Sequence, residues 1–309
     1  MARSLRDLRS KMKSIRSTRQ VTRAMELVAA SKMRRAVANA QSLQRYARLG
    51  WHILQRIAAR HADIHPYLQE RPAARTLAIL FSTDRGLCGS LNAQLFRMVT
   101  RTIEQCKAMP TFASLDFVVI GRKGQQFLQR SQQSIVAAFP AMTQHPTFKD
   151  TLPIVKIATE GFLSGSYDHV VLLFPGFLSA IVQEPSAKVL LPFSRSALLE
   201  ILERLTETNR TRAENTLPSE GTVHEYLFEP SEEDILKIVI PQLTEVQVYQ
   251  ALLDAVASEH SARMLAMHNA TESASDIIDD LTLTYNQTRQ ANITAELAEL
   301  SASAAALGA

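Results

Sequence analysis

The sequence predicts an α/β protein: a long antiparallel two-helix coiled coil built from the N- and C-terminal arms, plus a central α/β domain on a mostly parallel sheet. Three observations predict it. First, residues 242–307 contain no Gly and no Pro. As one helix they would span about 100 Å at ~1.5 Å per residue, longer than a domain core needs. Second, residues 1–49 are equally free of Gly and Pro and carry an apolar stripe of their own. Third, the middle of the chain changes period, from helical spacing to short continuous apolar runs separated by turn residues.

The C-terminal stripe reads Leu252, Val256, Met264, Met267, Ala274, Ile277 or Ile278, and Leu281. It is narrow, as in a coiled coil rather than a broad core face, and needs a partner helix. The N-terminal arm supplies one with Leu5, Leu8, Met12, Ile15, Met25 and Val28, interrupted near Arg19 and Thr22. Charge supports the pairing. Residues 1–60 hold 15 Lys/Arg against 2 acids, and residues 201–309 hold 6 against 18. The formal net charge of +4 conceals this asymmetry. If both arms leave the central domain at one level, paired residue numbers add to roughly 290, within a turn or two. Met25 then lies near Met264 and Met1 near Arg289, and the residues beyond project as a lone helix.

Within the arms, Gly50 is expected to loosen the first helix, and His65-Pro66 with Arg71-Pro72 to end it. Strands are expected at 76–82, 115–120, 134–139 and 170–174, and an edge hairpin at 179–182 and 188–191. Helices are expected from Ser90, a good N-cap, to about Lys107, after Gly121-Arg-Lys-Gly124, and over 152–163 with Pro153 in the first turn. A further helix resumes near Ser231 and is interrupted by Pro241. The expected division is 1–65 for the N-terminal coiled-coil helix and 66–205 for the central α/β domain. Residues 206–309 form a connecting segment and the long C-terminal helix.

Composition excludes some functions. No apolar run approaches ~20 residues, so no transmembrane helix is expected. The start is basic without an apolar secretory core. Its Arg-rich, Ser-containing character also fits a transit peptide, but the helical stripe runs through it unbroken. The 2 cysteines, Cys88 and Cys106, have no metal-ligand spacing and read as reduced thiols of a cytoplasmic protein.

No active site assembles from the motifs, so no catalytic, cofactor-binding or metal-ligating residue is expected. Gly121-Arg-Lys-Gly124 follows a strand but is neither a dinucleotide fingerprint nor a phosphate loop. Asp84-Arg85-Gly86 lies beyond a strand end with one acid, one cation and no nearby His. The 8 histidines are scattered, and His260 and His268 fit no zinc pattern. Two other functions stay open from the residues alone. A nucleic-acid-binding protein would use the basic N-terminal helix, although that arm interleaves only Tyr46 and Trp51. A nucleotide-binding enzyme would use the central sheet.

Four widely spaced stretches closely resemble the gamma subunit of bacterial-type F-type ATP synthases. They are Ala24-Met-Glu-Leu-Val-Ala-Ala-Ser-Lys-Met-Arg-Arg35, Thr83-Asp-Arg-Gly-Leu-Cys-Gly89, Ala257-Ser-Glu-His-Ser-Ala-Arg-Met-Leu-Ala-Met267 and Tyr285-Asn-Gln-Thr-Arg-Gln-Ala-Asn-Ile-Thr-Ala-Glu296. The resemblance implies a Rossmann-like central domain and a rotating central stalk without catalytic groups of its own. It couples proton or sodium ion flow through the c ring to ATP synthesis or hydrolysis at the alpha/beta ring. The implied partners are the alpha and beta subunits, the epsilon subunit and the c-subunit ring, with no nucleic acid and no cofactor. The implied location is peripheral, on the cytoplasmic side of the bacterial inner membrane. By matching position, Met25, Arg263, Arg289, Gln290, Thr294 and Glu296 would face the beta subunits. Tyr226, Phe228 and Glu229 would form the foot near the c ring and epsilon, Phe228 standing where a Tyr is frequent. Ser303 stands where the family usually has Gly. Cys88 and Cys106 lie in no inserted dithiol segment, so thiol regulation is not expected.

Overall fold

The computed structural model describes residues 5–58, 66–69, 71–72, 74–144, 146–193 and 232–307. Two compact units divide the chain: Met1–Ser31 with Arg263–Ala309, and Lys32–Ala262. Two helices, α1 (Leu5–Ala58) and a long C-terminal helix (Glu232–Leu307), contribute to both.

In the larger unit, five strands form one sheet in the order β3-β2-β1-β4-β5. They are β1 (Arg75–Phe81), β2 (Ser114–Ile120), β3 (Ser134–Phe139), β4 (His169–Phe177) and β5 (Gln183–Leu191). The β1–β2, β1–β4 and β2–β3 pairs are parallel, and β4–β5 is antiparallel. Burial explains the order. After its first residue, the central strand β1 is buried throughout, whereas β3 alternates exposed and half-buried residues at an edge. The helices α2 (Leu91–Ala108), α3 (Arg122–Arg130) and α4 (Phe148–Leu163) join the strands. The C-terminal helix is therefore α5.

The sheet is covered on both faces. Leu95, Val99 and Ile103 of α2 and Leu128 of α3 meet Ala78, Leu80, Phe117 and Val119 on one side. On the other, Leu77, Ile79 and Phe81 pack with Ile154, Ala158 and Phe162 of α4, residues 240–257 of α5, and Ala36 of α1.

Several local expectations change. The helix α1 runs through Gly50 to Ala58, since one helical Gly costs only ~1 kcal/mol relative to Ala. Pro241 does not interrupt α5, which continues from Glu232 to Leu307. Its ring forfeits one backbone bond, and the buried faces around it hold the helix. Helix α4 starts four residues earlier than expected, at a capping box in which Thr147 and Asp150 exchange hydrogen bonds, so Pro153 falls in its second turn. Ser90 makes no side-chain cap bond; its hydroxyl instead accepts from Gln94 Nε2 at 3.1 Å. Residues 179–182 are the hairpin's turn, not a strand, because β4 runs on to Phe177.

The narrow-stripe reading also fails for the first third of α5. Ile240, Leu243, Val248, Leu252, Leu253, Ala255 and Val256 are buried around the whole circumference. A helix apolar all round is a core helix, and here it is the centre of the larger unit's second core. The narrow stripe begins only in the smaller unit.

Candidate functional site

The smaller unit is an antiparallel pair of helical segments. Its seam shows in four polar contacts between α1 and α5. Arg9 Nη2 donates to Tyr285 Oη at 2.8 Å, with the guanidinium 5.7 Å from the ring centroid. Arg19 Nη1 reaches Ser275 Oγ at 3.5 Å. The hydroxyls of Thr22 and Thr271 are 2.8 Å apart. His268 Nδ1 lies 3.2 Å from Glu26 Oε1. Paired residue numbers add to 293 or 294 throughout. The register is thus shifted by about one turn from the expected 290, and Met25 falls level with Asn269 rather than Met264.

The spacing is that of heptads. On α1, Leu8, Ile15, Thr22 and Ala29 recur every seven residues, as do Met12, Arg19 and Glu26. On α5, Met267, Ala274, Leu281 and Thr288 alternate with Thr271, Ile278 and Tyr285. The seam is a coiled coil whose middle layers are polar. The apparent interruption near Arg19 and Thr22 is therefore part of the seam. Thr22 is 9 % exposed, while Val28, expected in the stripe, is 56 % exposed. Between the two isoleucines left open, Ile278 is buried and Ile277 exposed. An apolar-only reading missed Arg19, Thr22, Glu26, His268, Thr271 and Ser275. Their seven-residue spacing was the available signal.

The sequence-selected residues fall in two places. Met25 is half-buried and Arg263 buried. Arg289, Gln290, Thr294 and Glu296 belong to a stretch, Arg289 to Ser303, in which every residue is exposed. Tyr226, Phe228 and Glu229 lie outside the described residues.

The carboxyl edge of the parallel sheet is where open α/β folds bind anionic ligands. Here it is filled from within. Gly124 N donates to Ser82 Oγ at 2.8 Å, Lys123 N to Thr83 O at 3.0 Å, and Arg122 N to Asp84 Oδ1 at 3.2 Å. Three consecutive residues after β1 thus take three consecutive N–H groups at the start of α3. Asp84 also accepts from Ala141 N at 3.0 Å and Thr143 Oγ1 at 2.9 Å. A Cβ on Gly121, whose φ is 91°, would collide with the Ser82 carbonyl, and one on Gly124 would sit 2.5 Å from Ser82 Oγ. The two glycines serve this close approach rather than a pyrophosphate. At the opposite edge, hydrogen bonds from Arg75 hold the Asp168 carboxyl below its ordinary value.

The class this defines is a chain that joins an antiparallel coiled coil to a three-layer α/β unit. Residues 4–307 match the family described as ATP synthase. The chain is 40 % identical, over 309 residues covering 98 % of both, to the ATP synthase gamma chain of Roseiflexus castenholzii. Its fold is similar to a chain in the Euglena gracilis mitochondrial ATP synthase OSCP/F1/c-ring structure, with TM-score 0.64, 18 % identity, and coverage of 98 % of this chain and 94 % of that one. A chain of the Tetrahymena thermophila mitochondrial ATP synthase central stalk/c-ring structure gives TM-score 0.55 at 26 % identity, covering 81 % and 99 %. The chain belongs to the ATP synthase gamma chain family, and so is a non-catalytic subunit. Among the described residues, no helix is long and apolar enough to cross a membrane.

Proposed function

We infer that the chain is the rotating central stalk of an F-type ATP synthase. It couples proton or sodium ion flow through a c ring to ATP synthesis and hydrolysis in a ring of alpha and beta subunits. The observation that carries this is 40 % identity to a gamma chain along 98 % of both sequences. The shaft supports it physically. Val21, Leu27 and Val28 on α1, and Ile293, Leu297 and Leu300 on α5, are large apolar side chains 47–65 % exposed. Such a concentration along one helical pair fits a surface that other subunits enclose.

Met25, Arg263, Arg289, Gln290, Thr294 and Glu296 are the residues we assign to contacts with the beta subunits. Tyr226, Phe228 and Glu229 are assigned to the foot beside the c ring and epsilon. An asymmetric shaft biases each beta subunit between open and closed states through contacts that differ between those states. The complex holds the chain peripherally on the cytoplasmic side of a bacterial plasma membrane. Nucleotide binding by this chain loses its support, since Asp84 fills the place a phosphate would take.

Co-expression with alpha, beta and epsilon subunits tests the reading. The chain should purify with them as one complex, and ATP hydrolysis in membranes carrying the whole enzyme should pump ions. An alpha/beta preparation that excludes the chain, or hydrolysis that never pumps ions, would overturn it.

A further inference from the structure

We propose that the groove between α2 and α3 is a docking site for an acidic amphipathic helix of a partner protein. Its floor is the Phe96–Phe127 pair, stacked with ring centroids 4.4 Å apart and planes 2° from parallel. Arg97, Thr100, Arg101 and Glu104 line its α2 wall. Arg97 and Arg101 are exposed and one turn apart. Arg97 Nε bends back to Ala93 O at 3.3 Å, and Arg101 makes no hydrogen bond among the described residues.

Charge selects the occupant. Helices α2 and α3 carry Arg97, Arg101, Lys107, Arg122, Lys123 and Arg130 against the single acid Glu104. Among the described residues, none of these six cations enters an ion pair. A layer of like charges repels itself, and an anionic partner removes that repulsion. A trough between two helices accepts the ridge of a third. An apolar anchor on such a helix would rest on the Phe96 and Phe127 ring edges. Carboxylates four residues apart would meet Arg97 and Arg101, each able to pair bidentately. Glu104 would pair with a cation of the partner and fix its direction.

Nucleic acid fits less well. A base stacks on an open aromatic face, but each of these half-buried rings already has one face taken by the other, and Glu104 would repel a phosphate chain.

The first test uses the full-length chain and a labelled synthetic helix of Leu/Glu heptads. A Leu/Lys twin and a single-stranded oligonucleotide serve as competitors. The acidic helix should bind, and the double variant Arg97→Glu/Arg101→Glu, surface changes that leave the fold intact by circular dichroism, should weaken it at least ~10-fold. Raising salt should weaken it too. No binding by the parent chain, equal binding by the variant, or preference for the oligonucleotide would overturn the proposal. Equal binding would also reveal capture by the basic arm. In the assembled complex, a photoreactive side chain at Thr100 should crosslink to an acidic helix of another chain. Crosslinks only to lipid, only to residues 194–231 of this chain, or to nothing would overturn it.

Discussion

Asp84 shows how one side chain can imitate an active-site residue while doing structural work. It stands beyond a strand end, beside Arg85, where catalytic acids are often found. Its carboxylate instead joins the starts of α3 and the 140–143 turn through three hydrogen bonds. Bonds to a charged acceptor contribute ~1.5–3 kcal/mol each, and two of these three are exposed to solvent, so Asp84→Ala should cost roughly 1–3 kcal/mol in urea unfolding of the isolated chain. Turnover per assembled complex should stay near that of the parent; a loss of several orders of magnitude with normal assembly would mean that chemistry resides here. Asp254 offers a second residue-scale test. Although the residue is only half-buried, burial of its carboxyl pushes it up to about 7, with Lys188 pulling the other way. A raised folded-state value means that ionisation opposes folding. The penalty is absent below about pH 4, where the unfolded carboxyl is protonated, grows as pH rises, and is full above about 7. It is on the order of 4 kcal/mol at its limit. Asp254→Asn should therefore flatten the fall in stability between pH 4 and 7 and raise the unfolding midpoint at pH 8. An unchanged pH profile would contradict this assignment.

At the scale of elements, the seam sets up a comparison between neighbours. Ile278 is 6 % exposed and Ile277 44 %. Ile278→Asp puts an unpaired carboxylate into the interface and should cost about 3 kcal/mol or more in shaft stability. Ile277→Asp and Lys11→Ala should each change it by less than about 1 kcal/mol. Equal losses in a reconstitution assay would remove the apolar layers from the account. The same seam shows what sequence could and could not reveal. Strands β1, β2 and β4 were legible because buried parallel strands are continuous apolar runs, and β3 by a similar short run although it lies half-exposed at the edge. The seam itself was half hidden, because Thr22–Thr271 and Glu26–His268 place polar groups at heptad positions where apolar ones were sought. Such layers give up burial and can fix register. Two prolines misled for related reasons: Pro153 suggests a first turn, though the helix starts at Phe148, and Pro241 suggests a break, though tertiary packing on both sides of it outweighs one lost hydrogen bond. The hairpin turn at 179–182 misled because its apolar residues, Ile181 and Val182, look like strand yet are exposed.

Across the whole molecule, the opposite charge of the two arms was legible from sequence. The arms do meet, but through contacts of another kind: Glu26, an acid on the basic arm, lies against His268 of the acidic arm, 242 residues away. The candidate contact residues were legible only by resemblance. Nothing in the spacing of Arg289, Gln290, Thr294 and Glu296 distinguishes them, because the partner we propose for them is another chain. The register now sharpens a test of rotation. If the arms turn as one rigid body, joining them should not matter. With Cys88 and Cys106 changed to Ala, Thr22→Cys/Thr271→Cys places two thiols where hydroxyls already stand 2.8 Å apart, and neighbouring pairs can be tried if the Cβ atoms are too far for a bond. That crosslink should leave hydrolysis and ion pumping largely intact. A disulfide from Gln290→Cys to a surrounding beta subunit should block steady turnover, unless the exposed tip uncoils or swivels, and reductant should restore it. The rotor reading fails if the internal crosslink stops turnover while the crosslink to the ring does not, with both bonds confirmed on gels.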